Sequence, residues 1–330
     1  MVAVLEKKLM GMTSPVRKRL FRVFRKKNTP KEVYGLLSEF LSMSGKQLRP
    51  ALCLASCEAV GGSKKEALHA AATIEMFHNF TLIHDDIEDS SILRRGKPCL
   101  HIKYGLPLAL NAGDGLFMMV WQEAMSIPRP KRAQAQKYLL SAFTKVLEGQ
   151  ARELGWYQKN KWDVSEKEYY QVVRGKTGAL IAASCGVGAF LGGASKKTCK
   201  ALSDFGMKLG VSFQIIDDVL NVVGTEKKYK KEIGGDIKEG KRTLITIWAL
   251  KALPTNKRKK LRALLHKQNK SKKDVETVIL LMKESGATKK ALRTAEELVN
   301  GAVRDLKVLP KTRAKDLLLE LAKYIIQRER

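Results

Sequence analysis

Residues 67–87 read ALHAAATIEMFHNFTLIHDDI. Alanine, leucine, methionine, isoleucine and phenylalanine dominate, so the stretch reads as one long, nearly apolar helix. A helix apolar on almost every side belongs in the core of a domain rather than on its surface. It runs directly into acid, Asp85-Asp86-Ile87-Glu88-Asp89.

Outward from this segment, proline placement sets the rest of the frame. The nine prolines lie at 15, 30, 50, 98, 107, 128, 130, 254 and 310, with none between Lys131 and Leu253. Proline breaks helix interiors, so that span has room for several long helices. Ala133 to Gly155 is rich in Ala, Leu, Gln, Glu and Lys, and Leu202 to Val223 repeats apolar residues at three- and four-residue steps. Pairs of glycine at 61–62, 192–193 and 234–235 punctuate the helices. Apolar/polar alternation is scarce. The pattern predicts one all-α domain with many helices around a central cavity.

The bulk composition excludes several classes. At 44% hydrophobic and 29% charged over 330 residues, the chain is globular with ample core. No apolar run approaches a membrane span. The opening MVAVLEKKLMGMTSPVRKRLFRVFRKK lacks the apolar region and small-residue cleavage site of an export signal, so the expected location is cytoplasmic. Cys53, Cys57, Cys99, Cys185 and Cys199 form no CxxC pair and read as buried or half-buried thiols. The net charge of +29 is spread along the chain, with runs at 17–27, 227–231 and 257–260. No nucleic-acid signature accompanies it, so no specific nucleic-acid partner is expected. Anionic substrates, and peripheral attraction to an anionic membrane surface, fit the charge better.

Two acidic clusters carry the chemistry. The second, Asp217-Asp218-Val219-Leu220-Asn221, also ends an apolar helix, preceded by Ser212-Phe-Gln-Ile-Ile216. Asp85 and Asp89 are four apart and share a helix face. Paired carboxylates repel, and buried ones raise each other's pKa unless a cation neutralises them. Oxygen-only donors suit Mg²⁺, which commonly joins one or two carboxylates to substrate phosphates. A lone acidic helix end is often just a solvated terminus; two, each on an apolar helix in a chain poor in acid, are not. Arg94-Arg95-Gly96-Lys97-Pro98 follows the first cluster as a basic turn. Carboxylates beside arginines are compatible when a metal-bound diphosphate lies between them.

The motifs in order resemble the trans-prenyl diphosphate synthase (polyprenyl synthetase) family over nearly the whole chain. Gly45-Lys46-Gln47-Leu48-Arg49-Pro50 resembles its GKxxRP, and His84 to Asp89 with Arg94 to Pro98 resembles its first aspartate-rich motif and RRGxP. Asn111-Ala112-Gly113-Asp114 is similar to NxGD, Gly149-Gln150 to GQ and Lys176-Thr177 to KT. Phe213 to Asp218 resembles the second aspartate-rich motif, followed by Lys231 to Asp236 and Gly240 to Thr243.

The resemblance implies an all-α isoprenoid synthase fold of about ten core helices around a deep apolar cavity, usually a homodimer. It implies a single domain over 1–330, with a basic N-terminal segment at 1–30 and C-terminal helices at 255–330. The implied reaction joins isopentenyl diphosphate to an allylic diphosphate (dimethylallyl, geranyl or farnesyl). Asp85 and Asp89 would hold two Mg²⁺ and Asp217 a third, making about three ions, with Gln214 and Asp236 orienting metal-bound water. Arg94, Lys176, Lys231 and Lys241 would grip the allylic diphosphate, and Lys46, Arg49, His78 and Arg95 isopentenyl diphosphate. The allylic C–O bond ionises, so fixed cations stabilise charge on the leaving diphosphate. Gln214 and the Thr177 hydroxyl offer dipoles to the carbocation without attacking it. Phe80, five residues before Asp85, and the small Thr81 would set product length near C20, geranylgeranyl diphosphate, with residues from Phe117 to Trp121 deeper; the alternative is a farnesyl diphosphate or longer-chain product.

The chain departs from the family pattern at Asn221, where many members carry Asp, and at Lys230, where Gly usually precedes the lysine. A class I terpene cyclase shares the metal chemistry but needs no second diphosphate grip of the Lys46, Arg49 and Arg95 kind. A regulatory subunit commonly loses the aspartate-rich motifs, which both survive here.

Overall fold

The computed structural model describes residues 2–26, 28–43, 45–224 and 233–327. The fold is all-α, 80% helical. Among the described residues the one sheet is a two-stranded hairpin, β1 (Leu93–Arg94) against β2 (Lys97–Pro98). The chain divides into two compact units. The first comprises Met1–Phe143, Ala183–Ser203 and Val308–Leu318, and the second Thr144–Ala182, Asp204–Lys307 and Leu319–Arg330.

The first unit is built on α3 (Leu48–Ala59) and α4 (Lys64–Glu88). The expected apolar helix is there, and Ala67, Ala70 to Phe77, Asn79, Phe80 and Ile83 are buried along it. It starts in a capping box, with the Ser63 N–H donating to Glu66 Oε2 at 2.7 Å. α6 (Leu106–Ala124) packs against α4. It does so most closely at Gly113, where a Cβ would fall 2.4 Å from His84 Nε2. That contact is a physical reason for the glycine in Asn111-Ala112-Gly113-Asp114.

α1 (Val2–Lys26) contains Pro15, where proline placement alone implies a break. The helix continues because Leu5, Leu9, Met12, Val16, Leu20 and Phe24 form a stripe buried at helical spacing. Burying each contributes about 1.5–3 kcal/mol, which together exceeds the ~3 kcal/mol cost of an interior proline. A buried polar cluster fastens this helix. Arg19 Nε donates to both oxygens of Glu123 at 3.0 and 3.1 Å, and His69 Nδ1 lies 2.8 Å from Glu123 Oε1.

The described residues of the proline-free span are mostly helical, as the sequence predicts. It holds α7 (Arg132–Gln158), α8 (Glu166–Val173), a π-helical turn at Arg174–Gly178, α9 (Ala179–Leu191) and α10 (Lys196–Val223). In the second unit α10 crosses the turn closely: a Cβ on Gly210 would lie 2.7 Å from the Gly178 Cα. The C-terminal half continues as α11 (Gly235–Lys238), α12 (Leu244–Ala252), α13 (Thr255–His266), α14 (Lys272–Glu284), α15 (Ala287–Asp305) and α16 (Arg313–Gln327). All five cysteines are buried free thiols. Burial pushes Cys57, Cys99 and Cys185 up to about 12, so they stay protonated and inert at neutral pH. No described helix is long and apolar enough to cross a membrane.

Candidate active site

In the first unit α4 carries the acidic motif on its last turn. The Asp89 N–H donates to the Asp85 carbonyl at 2.9 Å, so helical geometry holds through the motif and sets both carboxylates on one face. Asp86 turns inward and is 1% exposed. It accepts a 2.8 Å bond from Arg94 Nε, and the same guanidinium lies 3.8 Å from Asp85. Burial pushes the Asp86 carboxyl up against the pull of Arg94.

The basic turn after α4 is the two-residue turn of the hairpin, with positive φ at Arg95 (54°) and Gly96 (79°). Both central residues are left-handed, as the right-handed twist of paired strands favours. The Arg95 guanidinium donates to the Met43 carbonyl, which brings this turn to the start of the Gly45 to Pro50 loop. Arg49 Nη1 lies 3.1 Å from His78 Nε2. Burial, then Arg49, Arg95 and Arg94, hold His78 far below its ordinary pKa. The ring is therefore neutral, and its Nε2 accepts from Arg49. Burial lowers Arg49 to about 10, opposed by Glu75, so it remains a cation at neutral pH. Its Nε is buried without a hydrogen-bond partner. Lys46 stands at the exposed edge, 2.9 Å from Glu6. Arg49, His78 and Arg95 thus share one basic patch bordered by Lys46.

Phe80 is 8% exposed. Its ring centroid lies 5.6 Å from Phe77, 5.0 Å from Phe117 and 4.6 Å from His84. Phe77 stacks on Phe143 at 3.7 Å, so Phe80 is one plate of an aromatic layer. Thr81 donates to the His78 carbonyl at 2.8 Å.

In the second unit the KT pair lies on the π-helical turn, a form frequent at functional sites. Gly149 of the GQ pair is the reason the turn sits where it does: a Cβ there would lie 2.5 Å from the Lys176 backbone nitrogen. Lys176 Nζ meets Glu153 Oε2 at 2.7 Å. Thr177 donates to Gln214 Oε1 at 3.0 Å, and Gln214 Nε2 donates to Asp218 Oδ1 at 3.0 Å. The Tyr169 hydroxyl donates to Asp218 Oδ2 at 2.8 Å. Burial, then Asp236, and to a lesser degree Asp217, push Asp218 up to about 8 despite those bonds. Lys241 Nζ lies 2.9 Å from Asp236 and 3.0 Å from Glu239; burial works to lower its pKa, but these carboxylates outweigh it and raise it. Asn221, 3% exposed, accepts the Asp236 N–H on its Oδ1 at 3.1 Å. It therefore braces the neighbouring acid without adding another negative charge. Lys231 lies outside the described residues.

The donor chemistry fits a divalent cation. Burial first, then Asp236 and to a lesser degree Asp217, raise the Asp218 carboxyl to about 8, and a bound cation would offset the part of that cost due to neighbouring charge. Among the described residues no three His, Cys, Asp or Glu side chains form a group able to hold an ion. Mg²⁺ commonly needs only one or two carboxylates besides substrate phosphate and water, and each acidic motif supplies that many.

Residues 30–282 match the family described as polyprenyl synthetase. The chain belongs to that family. A short chain isoprenyl diphosphate synthase of Methanothermobacter thermautotrophicus is 37% identical over 302 residues, covering 91% of this chain and 92% of the relative. The crystal structure of a geranylgeranyl pyrophosphate synthetase from Pyrococcus horikoshii superposes with a TM-score of 0.93 at 35% identity, covering 99% of each chain. A polyprenyl synthase from Caulobacter crescentus, complexed with calcium and isoprenyl diphosphate, gives 0.87 at 26% identity and 98% of each chain.

Within this polyprenyl synthetase, sequence reasoning missed Glu153, Tyr169 and Arg242. Glu153 had a signal: it stands one helical turn beyond Gly149 on α7, and so on the same face as the glycine. Tyr169 had none, because its partner comes from a remote segment, and Arg242 stood inside the Gly240 to Thr243 motif with no role attached to it.

Proposed function

We propose that the chain is a Mg²⁺-dependent trans-prenyltransferase that adds isopentenyl diphosphate to dimethylallyl, geranyl and farnesyl diphosphates and stops at C20, geranylgeranyl diphosphate. The observation that carries this reading is the buried Asp218 carboxyl, raised first by burial and then by Asp236, next to Lys241, which lies 2.9 Å from Asp236 and is a side chain suited to phosphate. The name of the M. thermautotrophicus protein supports the substrate class, that of the P. horikoshii protein the C20 product, and the calcium complex of the Caulobacter protein a divalent ion.

Asp85 and Asp89 are assigned to two ions and Asp217 to a third, with Gln214 and Asp236 orienting their water. When bound, Mg²⁺ supplies Lewis-acid stabilisation of the departing diphosphate. Arg94, Lys176, Lys231 and Lys241 take the allylic diphosphate oxygens. Their charge favours breaking the allylic C–O bond, because negative charge grows on those oxygens as it breaks. Thr177 and Gln214 turn oxygen dipoles toward the cation; tied to each other at 3.0 Å, they are held for that role and not free to attack. Lys46, Arg49, His78 and Arg95 fix isopentenyl diphosphate so that its double bond attacks the allylic carbon. The new C–C bond forms, the departed diphosphate accepts the proton lost from the adjacent carbon, and the lengthened diphosphate remains. Phe80, with Thr81 beside it, limits the chain.

The reading places a single synthase domain over 1–330 in the cytoplasm as a homodimer, with peripheral attraction to anionic membranes. Exposed Leu106, Leu110, Met118 and Met125 supply an apolar face for a second copy. Labelled isopentenyl diphosphate, each allylic starter and Mg²⁺, followed by chromatography of the dephosphorylated products, tests it. A labelled C20 alcohol is expected. No labelled prenyl alcohol from any starter overturns the reading.

A further inference from the structure

Lys241 is followed by an arginine whose surroundings are unusual for a basic side chain. Arg242 is 7% exposed. Its fork reaches three backbone carbonyls from separate parts of the second unit. Nε donates to Lys161 O at 2.9 Å, Nη1 to Gly240 O at 2.6 Å and Nη2 to Trp156 O at 3.4 Å. The guanidinium carbon lies 4.7 Å from the Tyr157 ring centre and 4.2 Å from that of Trp162. His266, at the end of α13, stacks on Trp162 at 5.3 Å and 25°. Trp162 is itself fixed by a 2.8 Å bond from Nε1 to Asn160 Oδ1.

A buried cation is costly unless its donors are satisfied, and here carbonyls and aromatic faces do that where an acid ordinarily would. A planar fork spreads its donors over three carbonyls while it stacks on a ring; a lysine has its three donors on one nitrogen and no plane to stack. What the arrangement controls is the turn before it. Asp236 to Lys241 is closed by backbone bonds, Gly240 N to Ile237 O at 3.1 Å and Lys241 N to Asp236 O at 2.8 Å. Gly240 takes a positive φ of 74°. The Gly240 carbonyl belongs to the peptide plane that also contains the Lys241 nitrogen. Pinning that oxygen therefore fixes the direction in which Lys241 leaves the turn, toward Asp236 and Glu239.

We propose that Arg242 is the positioning residue for Lys241: it clamps the Gly240 carbonyl to the Trp156–Trp162 segment and so aims the lysine at the allylic diphosphate. This rests on the assignment of Lys241 to that diphosphate. Arg242 touches neither substrate; it acts through its neighbour.

The test compares KM for farnesyl diphosphate with KM for isopentenyl diphosphate in the full-length enzyme and in Arg242→Lys, Lys241→Ala and the double variant, with Tm for each. Arg242→Lys is expected to raise the allylic KM about tenfold and leave the isopentenyl KM within about twofold, a split that a general loss of stability does not produce. Because both residues act in one unit, the double variant is expected to be no worse than Lys241→Ala alone. Equal rises in the two KM values, or multiplied effects in the double variant, overturn the proposal. An allylic KM raised by Lys241→Ala but unmoved by Arg242→Lys overturns the positioning role alone. An allylic KM unmoved by Lys241→Ala overturns the substrate assignment and the proposal with it. If Arg242→Lys does not fold, Trp162→Leu keeps the three hydrogen bonds and removes one aromatic face. A smaller rise confined to the allylic KM then upholds the clamp, and equal rises or none sink it.

Discussion

Alanine at position 149 perturbs the second unit at a close backbone crossing. The added methyl would lie 2.5 Å from the Lys176 nitrogen, 3.0 Å from the Gly175 carbonyl carbon and 3.1 Å from its Cα. All three atoms are backbone, so no side chain can swing aside. Ordinary contacts are about 3.5–4.0 Å, so the π-helical turn must retreat from α7 by about 1 Å. Overpacking of this kind costs about 1–3 kcal/mol. Alanine returns about 0.8–1 kcal/mol of helix propensity over glycine. The net loss of stability is therefore only about 0–2 kcal/mol. The catalytic cost is larger, because Lys176 and Thr177 ride on the displaced turn, and a misplacement of about 1 Å costs about a hundredfold. Gly149→Ala is expected to melt close to the parent while kcat/KM for the allylic substrate falls about a hundredfold. Gly155→Ala on the same helix is the control: its methyl meets nothing within 4 Å, so it should gain about 0.8–1 kcal/mol and keep full activity. Undiminished turnover in a well-folded Gly149→Ala would refute the claim that this crossing places the KT pair.

Phe80→Ala removes one plate of the aromatic layer, costs about 3–5 kcal/mol and should shift products beyond C20; an unchanged product distribution in folded protein would put the floor elsewhere. Arg49→Ala should raise KM for isopentenyl diphosphate far more than for the allylic partner, and equal effects would sink the two-site assignment. Asp217→Ala should cut turnover by orders of magnitude, whereas Asn221→Ala should keep turnover near normal and lose about 1–3 kcal/mol, because the buried Asp236 N–H loses its acceptor; comparable losses of turnover would mean the ligand assignment is wrong. Burial pushes Glu123 up, but its bonds to His69 and Arg19 outweigh this and leave it below the ordinary 4.5. A depressed carboxylate stabilises the fold above that ordinary value and loses the contribution as pH falls through the lowered one. Glu123→Gln should therefore be less stable by about 3–5 kcal/mol at neutral pH, with the gap closing below pH 4.5; a constant gap in denaturant titrations down to strong acid would contradict this.

Local features of the chain were readable in advance for a physical reason. Helix periodicity, proline spacing and glycine breaks act between residues a few positions apart, so α4 and α7 were visible to within about three residues of their ends, whereas α10 begins at Lys196, before the expected Leu202. The sharing of a face by Asp85 and Asp89 follows from the helix repeat alone. Pro15 shows the limit of that reasoning, since the stripe that overrides it gains its energy from what it packs against.

The partners of the site residues were a different matter. Lys176 finds Glu153 at a separation of 23 residues, Arg242 finds the Lys161 carbonyl at 81 and Arg19 finds Glu123 at 104. Asn221 looked like a missing acid and is a cap for Asp236. Asp218, next to the expected ligand Asp217, is a buried carboxyl raised to about 8 and held by Tyr169 and Gln214. The sequence by itself determined the helices, the order of the motifs and the demand for cations around an anionic substrate, because these depend on residue type and short spacing. Tertiary structure decided which charge meets which, how deeply each is buried and which backbone atoms are pinned, because those depend on the packing of distant helices.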